Sequence, residues 1–225
     1  MTMADDKMAG DKNVARAAKM ETATISDALD RLGIAGQCYQ IKGRDPGFRL
    51  AGRAFTIRCG PNSTPPGTVG DYIDDVPDGS VIVIDNGGRT DATIWGDILT
   101  EIAHRRKLAG TVIDGISRDV HLCRSLGYPV FAKDHWMRTG KDRVQVEEIG
   151  GVVNIGGARV APGDILVGDP DGVLVIPREH EDAVLASAEQ IHTAEEHIRS
   201  AVRGGMRLDE ARQQHNYHQL QTREK

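Results

Sequence analysis

Residues 95 to 120, WGDILTEIAHRRKLAGTVIDGISRDV, decide the fold, because one pattern of apolar residues gives way to another within them. Ile98, Leu99, Ile102, Ala103 and Leu108 fall near the spacing of a helix that buries one face, and Gly110 closes it. Val112 and Ile113, β-branched and bounded by Gly110 and Gly115, then read as a short interior strand. That strand ends on Arg118 and Asp119, side by side, where loop positions commonly carry binding or catalytic groups; an ion pair or a turn cap is the plainer meaning. Asp97 falls in the first turn of the helix, where a carboxylate is favourable with the helix dipole whatever else it does. A helix of about three turns carries the chain roughly 18 Å away at 1.5 Å per residue, and the strand brings it back. Arg118 and Asp119 are therefore expected beside Asp97 and the unpaired amides of Ile98 and Leu99. Such a rim attracts an anion, and two carboxylates next to an arginine suit a hard divalent cation with a carboxylate-bearing substrate.

The 225 residues fit one compact domain, 1–225, long enough to bury a sizeable core. Lys and Arg total 28 against 33 Asp and Glu, a formal charge of −5, which argues against a uniformly basic face for nucleic acid. A local basic pocket for a small anion is compatible with that balance. Cys38, Cys59 and Cys123 form no CxxC pair, so reduced thiols are expected rather than a zinc site or disulfide framework. No stretch of about 18 apolar residues occurs, and the first twenty residues have no signal-peptide core. The expectation is a cytoplasmic protein without a membrane span.

Residues 1 to about 20 read as an arm or a first helix. In TATISDALDRLG (22–33), Thr24 with Asp27 forms a capping-box-like start and Gly33 supplies the stop. AGRAFTIRC (51–59) alternates like a half-buried strand, GPNSTPPGTVG (60–70) is a loop, and SVIVIDNGG (80–88) is a strand covered on both faces that ends in a glycine turn. In GDPDGVLVIP (168–177) the acidic spacing lacks the remaining ligands of a calcium loop, so Asp169 and Asp171 are structural turn residues. The histidines form no HExxH pair, and HRRK (104–107) is a solvated helix surface, or a phosphate or partner contact. From 179 to 203, Val184, Leu185, Ala188, Ile191, Ala194 and Ile198 keep helical spacing, with Gly204 and Gly205 as the end.

Asp97, twenty residues, then Arg118-Asp119, together with TISDAL, AGRAFTI, WGDILTEIA, LAGTVIDGISRD, YPVFAK and PGDILVGDPDGVLVIP, resembles the class II pyruvate aldolases. These cleave 4-hydroxy-4-methyl-2-oxoglutarate and 4-carboxy-4-hydroxy-2-oxoadipate and are relatives of the regulator of ribonuclease E activity A. The resemblance covers most of the chain. It implies an α/β fold of the layered β/β/α swivelling-domain kind with a C-terminal helix. It implies that Asp119 binds Mg²⁺ or Mn²⁺, that Asp97 holds a water on the metal, and that Arg118 contacts the pyruvate oxygen. Gly96, Asp97, Ile98, Leu99 and Arg118 become the substrate-binding set, the amides of Ile98 and Leu99 taking the pyruvate carboxylate. It further implies a homo-oligomer, a trimer or dimer of trimers, in which a glutamate of the C-terminal helix completes the neighbouring site: Glu196, with Glu195 as competitor. The ribonuclease regulator has glycine where Asp97 stands, so this chain reads as an enzyme that frees pyruvate from a small 2-oxo acid, with oxaloacetate decarboxylation as a side activity. A non-catalytic regulator that binds a ribonuclease or helicase, and a lyase of the same chemistry on an unfamiliar substrate, are the alternatives. Arg89 and Arg124 are candidates to meet distal carboxylates.

Overall fold

A computed structural model describes residues 11–215 and Tyr217. The first twenty residues contribute α1 (Lys12–Ala17), whose Asp11 side chain accepts from the amides of Asn13 and Val14; residues 1–10 lie outside the described part. Helix α2 (Thr22–Leu32) starts two residues before the Thr24/Asp27 pair that sequence spacing favours. Its cap comes from far along the chain, since the amide and hydroxyl of Thr22 both donate to buried Asp169, at 2.8 and 2.6 Å. Gly33 ends the helix in the left-handed region, φ 69°, as expected.

Two short strands follow, β1 (Gln37–Cys38) and β2 (Lys42–Gly43), then the long β3 (Leu50–Pro61) and β4 (Val81–Arg89). Helix α3 (Asp97–Arg105) leads into β5 (Gly110–Ser117), and α4 (Val120–Leu126) into β6 (Val130–His135). The remaining strands are β7 (Val144–Ile149), β8 (Val153–Ile155), β9 (Ala158–Val160), β10 (Ile165–Asp169) and β11 (Gly172–Ile176). They precede α5 (Glu181–Arg203) and α6 (Leu208–Gln214). The main sheet runs β1-β11-β10-β3-β4-β5-β6-β2, with β7 also on β3, and β8 pairs with β9 separately. Strands β3 to β6 are mutually parallel; the first residues of β3 instead pair antiparallel with β10. The result is a mixed α/β fold with a sheet and a C-terminal helix.

Parallel neighbours need crossovers, and α3 and α4 provide two of them. Side chains alternate along β5, so its two faces do different work. Thr111 bonds Tyr128 at 2.9 Å on the helix side, whereas Asp114 accepts from Gly156 of the β8–β9 hairpin at 3.0 Å on the other. Both faces are covered, and every residue of β5 is buried. The same holds for Val81 to Ile84 of β4, as its continuous apolar run predicts. The glycine turn expected after that run is a bulge inside the strand: Asp85 pairs with Asp114 and the next paired residue, Arg89, with Gly115, so Asn86 to Gly88 are extra. Gly87 and Gly88 take φ of 62° and 70°, which side chains rarely adopt.

A second apolar cluster joins Ile25, Ala28 and Leu29 of α2 to Val184, Leu185, Ala188 and Ile191 of α5. The α5 stripe is thus covered by its own chain, and the face this helix leaves to solvent is mostly polar. Among the described residues no helix is long and apolar enough to cross a membrane.

Candidate active site

The segment between β4 and α3 and the turn after β5 meet at the carboxyl end of the parallel strands, the side of such sheets where ligands bind. Three hydrogen bonds stitch them together. Arg118 N donates to Trp95 O at 3.1 Å, Asp97 N donates to Asp119 Oδ2 at 3.0 Å, and Thr93 Oγ1 donates to Ile116 O at 3.0 Å. Arg118 Nε lies 3.2 Å from the same Asp119 Oδ2. The sequence expectation that Asp97, Arg118 and Asp119 converge on one rim is met, and the plainer ion pair is present as well.

The start of α3 is held from behind. Thr100 Oγ1 donates to Gly96 O at 2.8 Å and accepts from the indole of buried Trp95 at 2.9 Å; Trp95 in turn stacks on Tyr128, ring centroids 6.3 Å apart. Gly96 leaves space for its neighbours, since a Cβ there would lie 2.9 Å from Asp119 Oδ2 and 3.0 Å from Arg118 Nε. The Ile98 amide is taken by Asp97 Oδ1 at 2.8 Å, so a ligand carboxylate reaching it displaces that self-cap. Asp119 adopts φ 56°, ψ 38°, a left-handed conformation that Asp tolerates better than most residues.

This rim opens on a cleft of about 490 Å³ lined by Gly96 to Leu99, Ile102 and Arg118 on one side, by Val69 to Asp71, Ile73 and Asp74 on the other, and by Thr139 and Gly140. Among the described residues no group of three or more His, Cys, Asp or Glu is arranged around one point. The rim offers instead Asp97 Oδ2 and Asp119 Oδ1, each without a hydrogen-bond partner among the described residues. That donor set fits Mg²⁺ or Mn²⁺, hard cations held by one or two carboxylates that keep open positions for water and substrate oxygens. Glu195 and Glu196 lie on α5, both paired with Arg199, and α5 packs on α1, α2 and α6 rather than at the rim. Arg89 pairs with Asp91 at 3.4 Å, and Arg124 donates to Arg44 O at 2.8 Å; neither lines the cleft. Sequence reading missed the opposite wall, Val69 to Asp74, because the 3-10 helix it leads into, Asp71–Asp75, is too short to show a periodicity and its approach to α3 is set only by packing. The acidic run Asp71, Asp74, Asp75 is the signal that was there to find.

Comparison with known proteins places this arrangement. The sequence profile of the RraA-like family, described as Aldolase/RraA, matches residues 22–175, from the first residue of α2 nearly to the end of β11. The chain belongs to the Aldolase/RraA family. Within it, the chain is 42% identical over 201 residues to protein DlpA of Legionella pneumophila, covering 88% of this chain but only 33% of DlpA, so it spans about a third of that relative's length. It is 32% identical over 169 residues to a protein of Halalkalibacterium halodurans named "Putative 4-hydroxy-4-methyl-2-oxoglutarate aldolase", covering 75% of this chain and 78% of that one. Among solved structures, an uncharacterized protein from Pseudomonas syringae superimposes with a TM-score of 0.83 at 38% identity, over 89% of this chain and 96% of that one. RraAS2 of Streptomyces coelicolor, described as an unusual member of the RNase ES inhibitor RraA protein family, gives 0.77 at 26% identity, over 84% and 96%. The Aldolase/RraA profile spans the whole rim and both of its walls.

Proposed function

We propose that this chain is a divalent-metal carbon–carbon lyase that releases pyruvate from a 4-hydroxy-2-oxo acid. The observation that carries the reading is the tie between Asp97 and Asp119, with Arg118 on the same carboxylate, at the mouth of a cleft over a helix N-terminus. Asp119 would hold Mg²⁺ or Mn²⁺, which when bound supplies an electron sink for the 2-oxo group, and Asp97 beside it is left free to act as base. The first-turn amides of α3, at Ile98 and Leu99 after Gly96, receive the substrate carboxylate. Asp97 Oδ2 takes the proton of the C4 hydroxyl, directly or through one water, as the C3–C4 bond breaks and a carbonyl forms at C4. The electron pair stays with the three-carbon fragment, where Arg118 stabilises the enolate oxygen until C3 is protonated and pyruvate leaves. Oxaloacetate would give the same enolate by losing CO₂, hence a decarboxylase side activity.

The rim is flanked by Ile98, Trp136 and Met137, 70%, 42% and 73% exposed, and Trp136 N donates to Ser117 O beside Arg118 at 3.0 Å. These exposed apolar side chains support a homotrimer, or a dimer of trimers, in which Glu196 of the partner subunit, or Glu195 of the partner subunit, adds a carboxylate to the site. The likeness to RraAS2 supports a second reading, a non-catalytic regulator that binds a ribonuclease or helicase through its surface.

The test is pyruvate release, coupled to lactate dehydrogenase, from a panel of 4-hydroxy-2-oxo acids including 4-hydroxy-4-methyl-2-oxoglutarate, and from oxaloacetate with a protein-free control. Each substrate is run with Mg²⁺ and with excess chelator. Release that chelator stops, and that Arg118→Ala lowers by more than it weakens metal binding, is the expected result. No release from any substrate favours the regulator.

A further inference from the structure

Asp97 and Arg118 come from different segments, the approach to α3 and the turn after β5, so their separation is set by whatever ties those segments together. One tie, from Asp97 N to Asp119 Oδ2, runs through a carboxylate that the reaction itself uses. Another is neutral and buried. Thr93, 3% exposed, accepts from the Trp95 amide through Oγ1 at 3.1 Å. The proton of the same hydroxyl has two carbonyls in reach, Trp95 O at 2.8 Å and Ile116 O at 3.0 Å. Trp95 O is also the acceptor of the Arg118 amide, at 3.1 Å. The hydroxyl thus joins backbone two residues before Asp97 to backbone two residues before Arg118.

A third segment closes on the same residue. Thr93 N donates to Arg138 O at 3.0 Å, Thr93 and Thr139 form a parallel bridge, and a Cβ on Gly140 would overlap Thr93 O. Thr93 and Gly140 both line the cleft. Because the hydroxyl carries no charge and lies out of water, it keeps its partners whatever the protonation of Asp97 or the charge of an arriving ligand. Valine has the same branched shape but would leave the buried Trp95 amide without an acceptor, whereas serine keeps the hydroxyl.

Resting on the lyase reading above, we infer that Thr93 is a positioning residue, its hydroxyl fixing Arg118 relative to Asp97 so that the guanidinium meets the enolate oxygen as the base takes the proton. The experiment compares the parent, Thr93→Val and Thr93→Ser with Mg²⁺, each checked for folding by thermal unfolding, with Thr93→Ala in place of a valine variant that does not fold. Misplaced catalytic groups cost turnover, so Thr93→Val is expected to lower kcat for pyruvate release by about tenfold or more. KM should stay within about threefold, because the α3 amides that receive the carboxylate are held separately by Thr100. A binding arm titrates pyruvate and oxalate, a mimic of its enolate, by calorimetry with the same metal. Thr93→Val is expected to weaken oxalate by about tenfold and pyruvate by much less, since Arg118 meets full negative charge only in the former. Hydrogen exchange at the Trp95 and Arg118 amides should quicken by about tenfold or more in Thr93→Val. Thr93→Ser is expected to recover most of each loss. Faster exchange and selective loss of oxalate in Thr93→Val, with no pyruvate from any hydroxy acid in the parent, would sustain the positioning role and sink the lyase reading. Unchanged kcat in Thr93→Val, equal weakening of oxalate and pyruvate, binding of neither by the parent, an Arg118 amide that exchanges as before, or a serine variant no better than valine would overturn the inference.

Discussion

Asp119 holds two positions at once: its backbone is left-handed at φ 56°, and its Oδ2 receives both the Asp97 amide and the Arg118 guanidinium. Backbone conformations of this kind in non-glycine residues cost on the order of 1 kcal/mol and persist where surrounding structure enforces them, often at functional sites. Asn shares Asp's tolerance for that conformation and still accepts a hydrogen bond through its amide oxygen, while losing the charge. Asp119→Asn is therefore expected to melt within about 2 °C of the parent, because a surface change of this kind stays within about 0.5 kcal/mol. Its pyruvate release should fall roughly a hundredfold or more. A variant that melts normally and turns over normally would remove Asp119 from the chemistry. The cysteines behave in the opposite way, as inert core residues. Burial, assisted by the Asp114 charge at Cys38 and by Asp85 at Cys59, pushes both thiols up to about 12. At pH 8 the thiolate fraction at either is roughly one in ten thousand, so a disulfide reagent is expected to leave both untouched in native protein and to titrate them after unfolding. Rapid labelling of either peptide in the native state would show that the core opens there.

At the scale of elements, α2 shows how far a cap can come from. Asp169 closes β10 and takes the Thr22 amide and hydroxyl and the Asp171 amide, so a turn between two late strands starts an early helix. Burial raises the Asp169 carboxyl, but these hydrogen bonds outweigh it and hold the group below its ordinary value. Asp169→Ala leaves two donors on Thr22 unsatisfied in a buried place, at a cost of roughly 1–3 kcal/mol. The expected outcome is a lower urea midpoint with an unchanged slope. An unchanged midpoint would mean that water replaces the carboxylate and that the helix start is looser than the structure shows.

Across the whole molecule, one arginine ties the first helix, the central strand and the C-terminal helix. Arg53 of β3 donates to Asp11 before α1 at 2.7 Å and pairs with Glu181 in the first turn of α5, while Asn13 also donates to Glu181 at 3.0 Å. The Arg53 hydrogen bond holds both carboxyls below their ordinary values, against the opposing effect of burial. Since the folded values are lower than the unfolded ones, the unfolded chain binds more protons as acid is added. The stabilisation is present above the ordinary carboxyl range, about pH 4, and is lost as pH falls through the folded values. Arg53→Met should therefore cost stability at pH 7 and progressively less toward pH 3, read from urea titrations at both. A difference that is the same at both pH values would show that ionisation of this cluster is not what it contributes.

The residues from 95 to 120 determined by themselves that a helix runs into a buried strand and that Asp97, Arg118 and Asp119 share a rim. A helix and strand of matched length admit few other placements, and buried periodicity is written locally. The covered run of β4, the stop at Gly33, the structural role of Asp169 and the C-terminal helix were legible for the same reason. Tertiary structure alone decided where α2 begins, since its cap lies 147 residues away, and that the glycines after Asp85 form a bulge rather than an end, since β5 continues beside them. It also decided that residues 69–74 face the start of α3 across the cleft. Which side chains face one another across a cavity depends on packing between segments, and no periodicity along the chain encodes it.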